Sequence, residues 1–239
     1  MEIKYYKELP STNRTAAEAA RAGAEEFYTV VAGSQTAGRG RMERSFFSPV
    51  GGTYFSTVLR PDFSMDLFSQ ITPMAAVAVH RAIFHVTGVL TEIKWINDLL
   101  LDGKKICGIL AESGVDVNGK PYVVLGIGIN TADVDFPVEL KQTASFIPCA
   151  DPMALVGAIL AELSEYRASV AESRWHADYC RYCCCIGRIV EVINAGRICP
   201  AFVHGVLPDG GLQVEYADGS KDILRGGEIS LRLAHFPEA

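Results

Sequence analysis

The residues with the clearest chemical potential form a glycine- and arginine-rich segment at 35–41. Gly38 and Gly40 carry no side chain, so backbone N–H groups there can approach an anion closely. Arg39 and Arg41 add planar guanidinium groups that bind phosphate or carboxylate through paired hydrogen bonds. Such a loop suits a reaction in which a carboxylate meets the α-phosphate of ATP, because positive charge screens their repulsion. The alternative, a flexible RNA-binding tail, is disfavoured because the segment lies between two predicted strands.

Two further segments combine strand-like residues with polar groups. Lys94-Trp95-Ile96-Asn97-Asp98 precedes Lys104-Lys105-Ile106-Cys107-Gly108-Ile109, and a lysine at the end of a hairpin can project its charge into a cleft. Gly126-Ile127-Gly128-Ile129-Asn130 places glycines in a buried strand, which indicates that another group approaches the backbone closely. The alternatives are solvated lysines on an ordinary hairpin and a strand that packs tightly against a helix.

Ser11-Thr12-Asn13 and Gln35 offer neutral hydrogen-bonding groups. Hydroxyl and amide side chains both donate and accept, so together they suit a polar ring such as a ureido group. Helix capping alone is the alternative interpretation, because an alanine-rich helix at 14–24 follows directly.

These segments must be positioned by a mixture of strands and helices. Patterning predicts strands at 27–32, 53–59 and 122–129, buried helices at 73–86 and from Asp151-Pro152 onward, and a hairpin of 93–96 with 106–112 that turns at Asp102-Gly103. After residue 186 only short β-type runs and turn pairs occur, which is typical of a small barrel. We therefore predict an α+β fold with a mixed sheet packed by helices in residues 1–185, and an SH3-like β-barrel in residues 186–239.

Composition narrows the class of protein. The 239 residues carry a formal net charge of −6, which argues against nucleic-acid binding, and no apolar run approaches a membrane span. No signal peptide is visible, so we expect a cytoplasmic protein. The sequence also contains no GxSxG elbow and no GxxxxGK[ST] phosphate loop. The CxxC within the cluster from Cys180 to Cys185 lacks a recognisable second ligand pair for zinc, and buried apolar packing is the favoured interpretation.

Taken in order, the motifs resemble the biotin–protein ligase family over nearly the whole chain. They are Ser-Thr-Asn at 11–13, Gln-Thr-Ala-Gly-Arg-Gly-Arg at 35–41, Phe-Ser-Pro at 47–49, Lys-Trp-Ile-Asn-Asp at 94–98, Lys-Lys-Ile-Cys-Gly-Ile at 104–109, Gly-Ile-Gly-Ile-Asn at 126–130 and Gly-Gly-Glu-Ile-Ser-Leu-Arg at 226–232. Each motif is moderately specific, but seven in the family's order are highly specific. The family often has proline where this chain has Ile96, and Met42-Glu43 replaces a more basic continuation of the loop.

The resemblance implies two overlapping sets of binding residues. The biotin set is Ser11, Thr12, Asn13, Gln35, Gly38, Arg39, Arg41, Lys105 and Gly108. The set for ATP and the adenylate is Gly38, Arg39, Gly40, Arg41, Phe46, Asn97, Lys105, Asn130 and Arg232. Lys105, Arg39 and Arg41 would be catalytic, and no metal ligand is assigned. Glu228 and Arg232 fall in a C-terminal motif associated with ATP and carrier binding.

The implied activity is formation of biotinyl-adenylate from biotin and ATP with Mg²⁺, followed by transfer to a lysine of a biotin carboxyl carrier protein domain. Because some family members carry an N-terminal helix-turn-helix that this sequence lacks, we expect no operator binding. We also expect a monomer or weak homodimer. The rivals are a lipoyl or octanoyl transferase with Cys107 as nucleophile, and a non-catalytic biotin sensor.

Overall fold

The structure is a computed structural model that describes residues 1–42, 44–60, 65–194, 196–225 and 230–233, with 65–67 and 230–233 described by backbone alone. The described strands are β1 Ile3–Tyr6, β2 Thr29–Ala32, β3 Thr53–Leu59, β4 Glu92–Lys94, β5 Asp98–Leu101, β6 Lys104–Val115, β7 Pro121–Ile129, β8 Ile189–Asn194, β9 Arg197–Val206, β10 Leu212–Tyr216, β11 Lys221–Leu224 and β12 Ser230–Leu233. The described α-helices are α1 Thr12–Arg21, α2 Ile71–Thr87, α3 Pro152–Ala168 and α4 Trp175–Tyr182. Short 3₁₀ turns at Met65–Gln70 and Val170–Glu172 precede α2 and α4.

A seven-stranded mixed sheet forms the body of the molecule, in the spatial order β1-β2-β3-β7-β6-β5-β4. The β1–β2 pair is parallel and the remaining pairs are antiparallel. The predicted strands at 53–59 and 122–129 are both confirmed, and β7 occupies the centre of the sheet. Its near-continuous apolar sequence follows from this position, because helices or loops cover both of its faces.

Helices pack on the two faces of this sheet unequally. The face under α2 and α3 carries the main apolar core, which includes Leu125, Ile127, Ile106 and Cys107. On the other face α1 covers only a small cluster that contains Val30, Val58 and Val124. The rest of that face is therefore left for a pocket.

The helix that begins after Asp151 is confirmed, with its sequence signals in their expected places. The Asp151 carboxylate accepts hydrogen bonds from the backbone N–H groups of Met153 and Ala154, at 3.1 and 2.9 Å. Pro152 occupies the first turn, where its missing N–H costs no helical hydrogen bond. Leu155, Ile159 and Leu163 then recur at helical spacing and are fully buried against the core.

The predicted hairpin of 93–96 with 106–112 is wrong in its pairing. Asp102-Gly103 forms a turn with positive φ at both residues, but it joins β5 to β6, and β4 pairs with β5 instead. Trp95 leaves the ladder, and its indole Nε1 donates to the carbonyl of Gly210 at 2.9 Å. The apolar character of Trp95 and Ile96 thus reflects packing beside the C-terminal strands, not a longer strand.

The C-terminal strands form a second, antiparallel sheet in the order β11-β10-β9-β8-β12. The predicted fold class, a mixed sheet with helices plus a small β unit, is confirmed. One apolar cluster runs through both sheets and includes Val190, Val203 and Leu212, so the two units share a core. The division at 185 and 186 and the SH3-like closure stay predictions. None of the described helices combines the length and apolar character that crossing a bilayer requires.

The cysteine cluster lies at the end of α4, a helix that the sequence analysis did not predict. Cys183, Cys184 and Cys185 are buried, and Cys183 forms a parallel bridge with Ile93 of β4. The burial of these three cysteines agrees with the prediction of apolar packing, whereas Cys180 is partly buried and its Sγ lies 3.4 Å from His176 Nε2. The part of the chain that the structure describes contains no group of three or more His, Cys, Asp or Glu side chains arranged to hold a metal ion.

Candidate functional site

Glycines form the floor of the pocket beside α1. Gly108 of β6 pairs directly with Gly128 of β7, and Gly126 lies two residues further along the same strand. The Phe46 ring lies on this floor, since a Cβ added at Gly128 would be 2.5 Å from Phe46 Cε1 and one added at Gly108 would be 3.0 Å from Cε2. The glycines predicted to allow a close approach are therefore in contact with an aromatic ring and polar side chains.

The N-terminus of α1 forms one wall of the pocket. Ser11 occupies the N-cap position, but its hydroxyl makes no capping hydrogen bond to the helix. The backbone N–H of Thr12 instead donates to Gln35 Oε1 at 2.8 Å, and Gln35 Nε2 donates to Ser48 Oγ at 2.9 Å. Capping alone does not account for these side chains, because the amide of Gln35 takes the place of a cap and lines the pocket with them.

Lys105 lies at the start of β6 and is fixed at both its backbone and its side chain. Its N–H donates to the carbonyl of Thr143 at 2.8 Å, and its own carbonyl accepts from the N–H of Ser145 at 2.9 Å. Its ammonium Nζ lies 2.6 Å from Asp98 Oδ1 and 5.8 Å from the centre of the Phe46 ring. The Lys105 side chain is about one-third exposed, so a ligand can reach it.

The glycine–arginine loop closes over the pocket from the side. The N–H of Phe46 donates to the carbonyl of Gly38 at 2.9 Å, and a Cβ at Gly38 would lie 2.6 Å from Ser48 Oγ and closer still to the Phe46 carbonyl. Gly38 therefore forms the neck of the loop. The N–H of Gly40 donates to the carbonyl of Arg44 at 2.7 Å.

The two arginines point at different partners across the pocket. Arg39 Nη1 lies 3.2 Å from the Glu112 carboxylate, and Arg41 Nη1 donates to Asn97 Oδ1 at 3.1 Å. Burial lowers the pKa of the Arg41 guanidinium, while Asp98 raises it and Arg44 lowers it further. Arginine is positively charged in proteins, so both side chains bring positive charge into the site.

Phe46 and Lys105 line several cavities, two of which bear on ligand binding. The first is a polar slot of about 50 Å³ between α1, the arginine loop and the glycine floor. The second has a volume of about 660 Å³ and mixes apolar side chains, such as Phe136 and Leu140, with polar ones. Lys105 and Phe46 line both cavities, so a group placed between the two would be in reach of the Lys105 ammonium.

Most of the predicted site residues converge on these cavities. Those on the lining of the polar slot are Ser11, Thr12, Asn13, Gln35, Arg39, Gly40, Arg41, Phe46, Asn97, Lys105 and Gly108. Asn130 lines the second cavity, and its Nδ2 donates to the carbonyl of Ser145 at 2.8 Å. Gly38 lies at the loop neck, away from both linings. Glu228 and the side chain of Arg232 lie outside the described residues, so their assignment stays a prediction.

The sequence analysis missed three polar residues of the site. Asp98 was only part of a quoted motif, yet it is the carboxylate that pairs with Lys105. No sequence motif around Glu112 or Ser56 indicates a role in the site. Glu112 on β6 and Ser56 on β3 both contact Asn13 of α1, and they come together only because β7 pairs between their two strands. Side chains alternate between the two faces of a sheet along each strand. Once the strand pairing is known, this alternation places Ser56 and Glu112 on the same face as the glycine floor.

Cys107 faces away from both cavities. It alternates with Gly108 along β6 and is fully buried in the main core on the opposite face of the sheet. Burial raises the pKa of its thiol well above the ordinary value, so the nucleophilic thiolate is disfavoured.

Comparisons with known proteins agree with this architecture. The sequence pattern of the biotin/lipoate A/B protein ligase family matches residues 5–130, just over half of the chain. The chain is 46% identical over 144 residues to the bifunctional ligase/repressor BirA of Bacillus subtilis, which covers 59% of this chain and 44% of the relative. It is 38% identical over 128 residues to the biotin–[acetyl-CoA-carboxylase] ligase of Paracoccus denitrificans, which covers 52% and 53%.

The chain thus spans about half the length of the curated relatives that it matches. A solved structure extends the likeness to both sheets. The biotin protein ligase of Aquifex aeolicus, in complex with biotin and ATP, superposes with a TM-score of 0.84 at 24% identity and covers 98% of this chain and 99% of its own. On the family match, the chain belongs to the biotin/lipoate A/B protein ligase family.

Proposed function

We propose that this protein is a biotin–protein ligase that joins biotin to ATP as biotinyl-adenylate and then transfers the biotinyl group to a lysine of a carrier protein. The carrier is a biotin carboxyl carrier protein domain. The name of the Paracoccus denitrificans relative, biotin–[acetyl-CoA-carboxylase] ligase, supports the choice of biotin and of an acetyl-CoA carboxylase as the source of the carrier. Residues 1–185 would form the biotin- and ATP-binding unit of a cytoplasmic enzyme, and residues 186–239 would form an accessory unit that adds Glu191 to the lining of the nucleotide cavity.

The proposal rests mainly on the position of Lys105 between a polar slot and a larger, partly apolar cavity. The polar slot offers hydroxyl and amide groups that suit a ureido ring. The larger cavity suits a nucleotide, because its aromatic and aliphatic walls can cover a base. A carboxylate from one side and a phosphate from the other would meet at the ammonium of Lys105.

Activation consists of one displacement at phosphorus. The biotin carboxylate attacks the α-phosphorus of ATP, a new C–O–P linkage forms, and the bond from that phosphorus to the bridging oxygen breaks as pyrophosphate leaves. Lys105, Arg39 and Arg41 screen the repulsion between the two anions and stabilise the charge that develops on the phosphoryl oxygens. Asp98, 2.6 Å from Lys105, orients the ammonium before the ligands arrive.

Ligand entry requires movement of Phe46 and of the glycine–arginine loop. A slot of about 50 Å³ is too small for a bicyclic ring, because the Phe46 ring occupies the glycine floor. Displacement of Phe46 toward the second cavity would open the floor and leave the ring free to pack on the nucleotide base. The loop would then close over the adenylate and exclude water from the reactive anhydride.

Mg²⁺ fits the donor set of the second cavity. Asp98 and Glu191 are carboxylates on its described lining, and Mg²⁺ is usually held by one or two carboxylates together with substrate phosphates. Bound with the phosphates, the ion would supply positive charge to the departing pyrophosphate.

Transfer completes the reaction without a covalent enzyme intermediate. The amine of the carrier lysine attacks the biotinyl carbonyl carbon, an amide bond forms, and AMP leaves with the anhydride oxygen. The burial of Cys107 on the opposite face supports this route over a thioester intermediate, which the alternative lipoyl or octanoyl transferase would need. The two arginines and Lys105 at the pocket also favour an enzyme over a biotin sensor.

Biotin-dependent exchange of pyrophosphate into ATP tests the proposal. The protein is expected to exchange label only when biotin is present, and Lys105→Ala should lower kcat/KM by about 10²- to 10³-fold because a charge aimed at the transition state is lost. Lys104→Ala is the matched control, since Lys104 is the exposed neighbour on the same strand and lines neither cavity. Exchange that needs no biotin, or equal activity of both variants, would contradict the proposal.

A further inference from the structure

Glu112 lies behind the polar slot and contacts two of its residues without lining it. Asn13 Nδ2 donates to Glu112 Oε2 at 2.8 Å, and Arg39 Nη1 lies 3.2 Å from Glu112 Oε1. We propose that Glu112 is a positioning residue that sets the direction of a hydrogen-bond relay through Asn13 and Ser56, and so makes Thr12 accept a hydrogen bond from the ligand beside the Gln35 oxygen. This inference rests on the proposed function, because it concerns the recognition of the biotin ring.

The relay begins with the orientation of the Asn13 amide. An ionised carboxylate only accepts hydrogen bonds, so the Asn13 NH₂ group must face Glu112 and the Asn13 carbonyl must face Ser56. Ser56 Oγ lies 2.6 Å from Asn13 Oδ1 in a fully buried position on β3. Gly126 makes room for this amide, because a Cβ at that position would collide with Asn13.

The single proton of Ser56 then fixes the role of Thr12. Since Asn13 Oδ1 cannot donate, the Ser56 hydroxyl donates to it and has no proton left for Thr12. Ser56 Oγ also lies 2.8 Å from Thr12 Oγ1, so Thr12 must be the donor of that hydrogen bond. With its own proton committed to Ser56, Thr12 presents only lone pairs to the slot.

Thr12 and Gln35 thereby form a pair of acceptors. Thr12 Oγ1 lies 3.1 Å from Gln35 Oε1 but 2.8 Å from Ser56 Oγ, so its single proton goes to the nearer Ser56 oxygen, and the Thr12 and Gln35 oxygens both face the slot as acceptors. A ligand N–H placed beside both oxygens satisfies them together. The slot therefore selects a ring N–H, which a ureido group carries, over a ring oxygen or sulfur at the same place.

Glu112→Gln reverses the relay. Arg39 only donates, so it would hold the amide oxygen of the new side chain and turn its NH₂ group toward Asn13. The Asn13 amide would then flip, the Ser56 proton would turn to Thr12, and Thr12 would regain a proton that it can direct into the slot. Ring oxygen would become acceptable where ring N–H was required.

The test uses calorimetry to measure the Kd of biotin and the Kd of each of two analogues in which oxygen replaces one ring N–H. The quantity compared is the ratio of the analogue Kd to the biotin Kd. The unsubstituted protein is expected to prefer biotin by about 10²-fold or more over at least one analogue, and Glu112→Gln should lower that ratio by about tenfold or more. Glu162→Gln is the matched control, because Glu162 also pairs with an arginine, Arg81, on the opposite face of the sheet. Its ratio should match that of the unsubstituted protein.

An unchanged ratio in Glu112→Gln, with or without weaker binding overall, would overturn the relay, since a merely structural role weakens all ligands alike. If Glu112→Gln does not fold, Ser56→Ala replaces it, because removal of the central hydroxyl frees the Thr12 proton and should lower the same ratio. Absence of biotin binding by the unsubstituted protein would instead refute the proposed function, so the two failures are distinguishable.

Discussion

Gly126 is the position at which one added methyl group tests the packing of the pocket most directly. A Cβ there would lie 2.7 Å from Asn13 Cγ and closer still to Asn13 Oδ1, so Gly126→Ala forces the amide to move. The amide is buried and is held by Ser56 at 2.6 Å and by Glu112 at 2.8 Å, so movement breaks contacts on both sides. Overpacking costs about 1–3 kcal/mol, and a hydrogen bond to a charged group contributes about 1.5–3 kcal/mol.

We therefore expect Gly126→Ala to lower the free energy of unfolding by about 3 kcal/mol and to weaken biotin binding, as measured by urea unfolding and calorimetry. Gly157→Ala is the matched control. Gly157 lies on the exposed side of α3, where a Cβ would meet nothing within 4 Å, so alanine should stabilise the protein by about 0.5–1 kcal/mol. A Gly126→Ala protein with the stability and biotin affinity of the original would refute the assigned position of Asn13.

Two further predictions concern the loop and the response to acid. Arg41→Gly should let the adenylate escape and label bystander proteins, which streptavidin blotting detects. Arg188→Gly, at an exposed arginine, is the control and should not do so. Strict carrier specificity in Arg41→Gly would contradict the role of Arg41. Burial lowers the pKa of His80 to about 4, so between pH 6.5 and pH 4 the unfolded chain binds a proton that the folded protein does not. The free energy of unfolding should therefore fall by up to about 3 kcal/mol as the pH drops through that window. In urea unfolding, His80→Gln should show a smaller fall than the unsubstituted protein. An equal pH dependence in both proteins would show that His80 is not the source of the fall.

Features of the fold that depend on local chemistry were predictable from the sequence. Asp151 and Pro152 signal a helix start through their own side chains, and the apolar run of β7 signals a central strand. The pairing of β4 was not predictable in this way, because Trp95 is buried by a partner about 115 residues away in the chain. An apolar residue before a turn looks the same whether a strand or a distant loop covers it.

The site residues also divide into those that a local motif indicates and those that only the strand pairing brings into place. Lys105, the arginines and Gln35 carry distinctive side chains in recognisable motifs, so the sequence predicts them. Glu112 and Ser56 are ordinary strand residues whose importance comes from register, since Ser56 pairs with Gly126 and Gly126 pairs with Leu110 across the sheet. Only the strand order brings them to Asn13. Gly38, predicted to approach an anion, contacts Phe46 and Ser48, and no local sequence pattern indicates these contacts.

The central claim is that Lys105 and the two arginines hold two mutually repelling anions together. A crystal structure of the protein with biotin and a non-hydrolysable ATP analogue tests it most directly. The account predicts that Lys105 Nζ lies about 3 Å from both the biotin carboxylate and an α-phosphate oxygen, with Phe46 displaced from Gly108 and Gly128. A structure in which both ligands are bound while Lys105 stays paired with Asp98 alone, and Phe46 stays on the glycine floor, would contradict it.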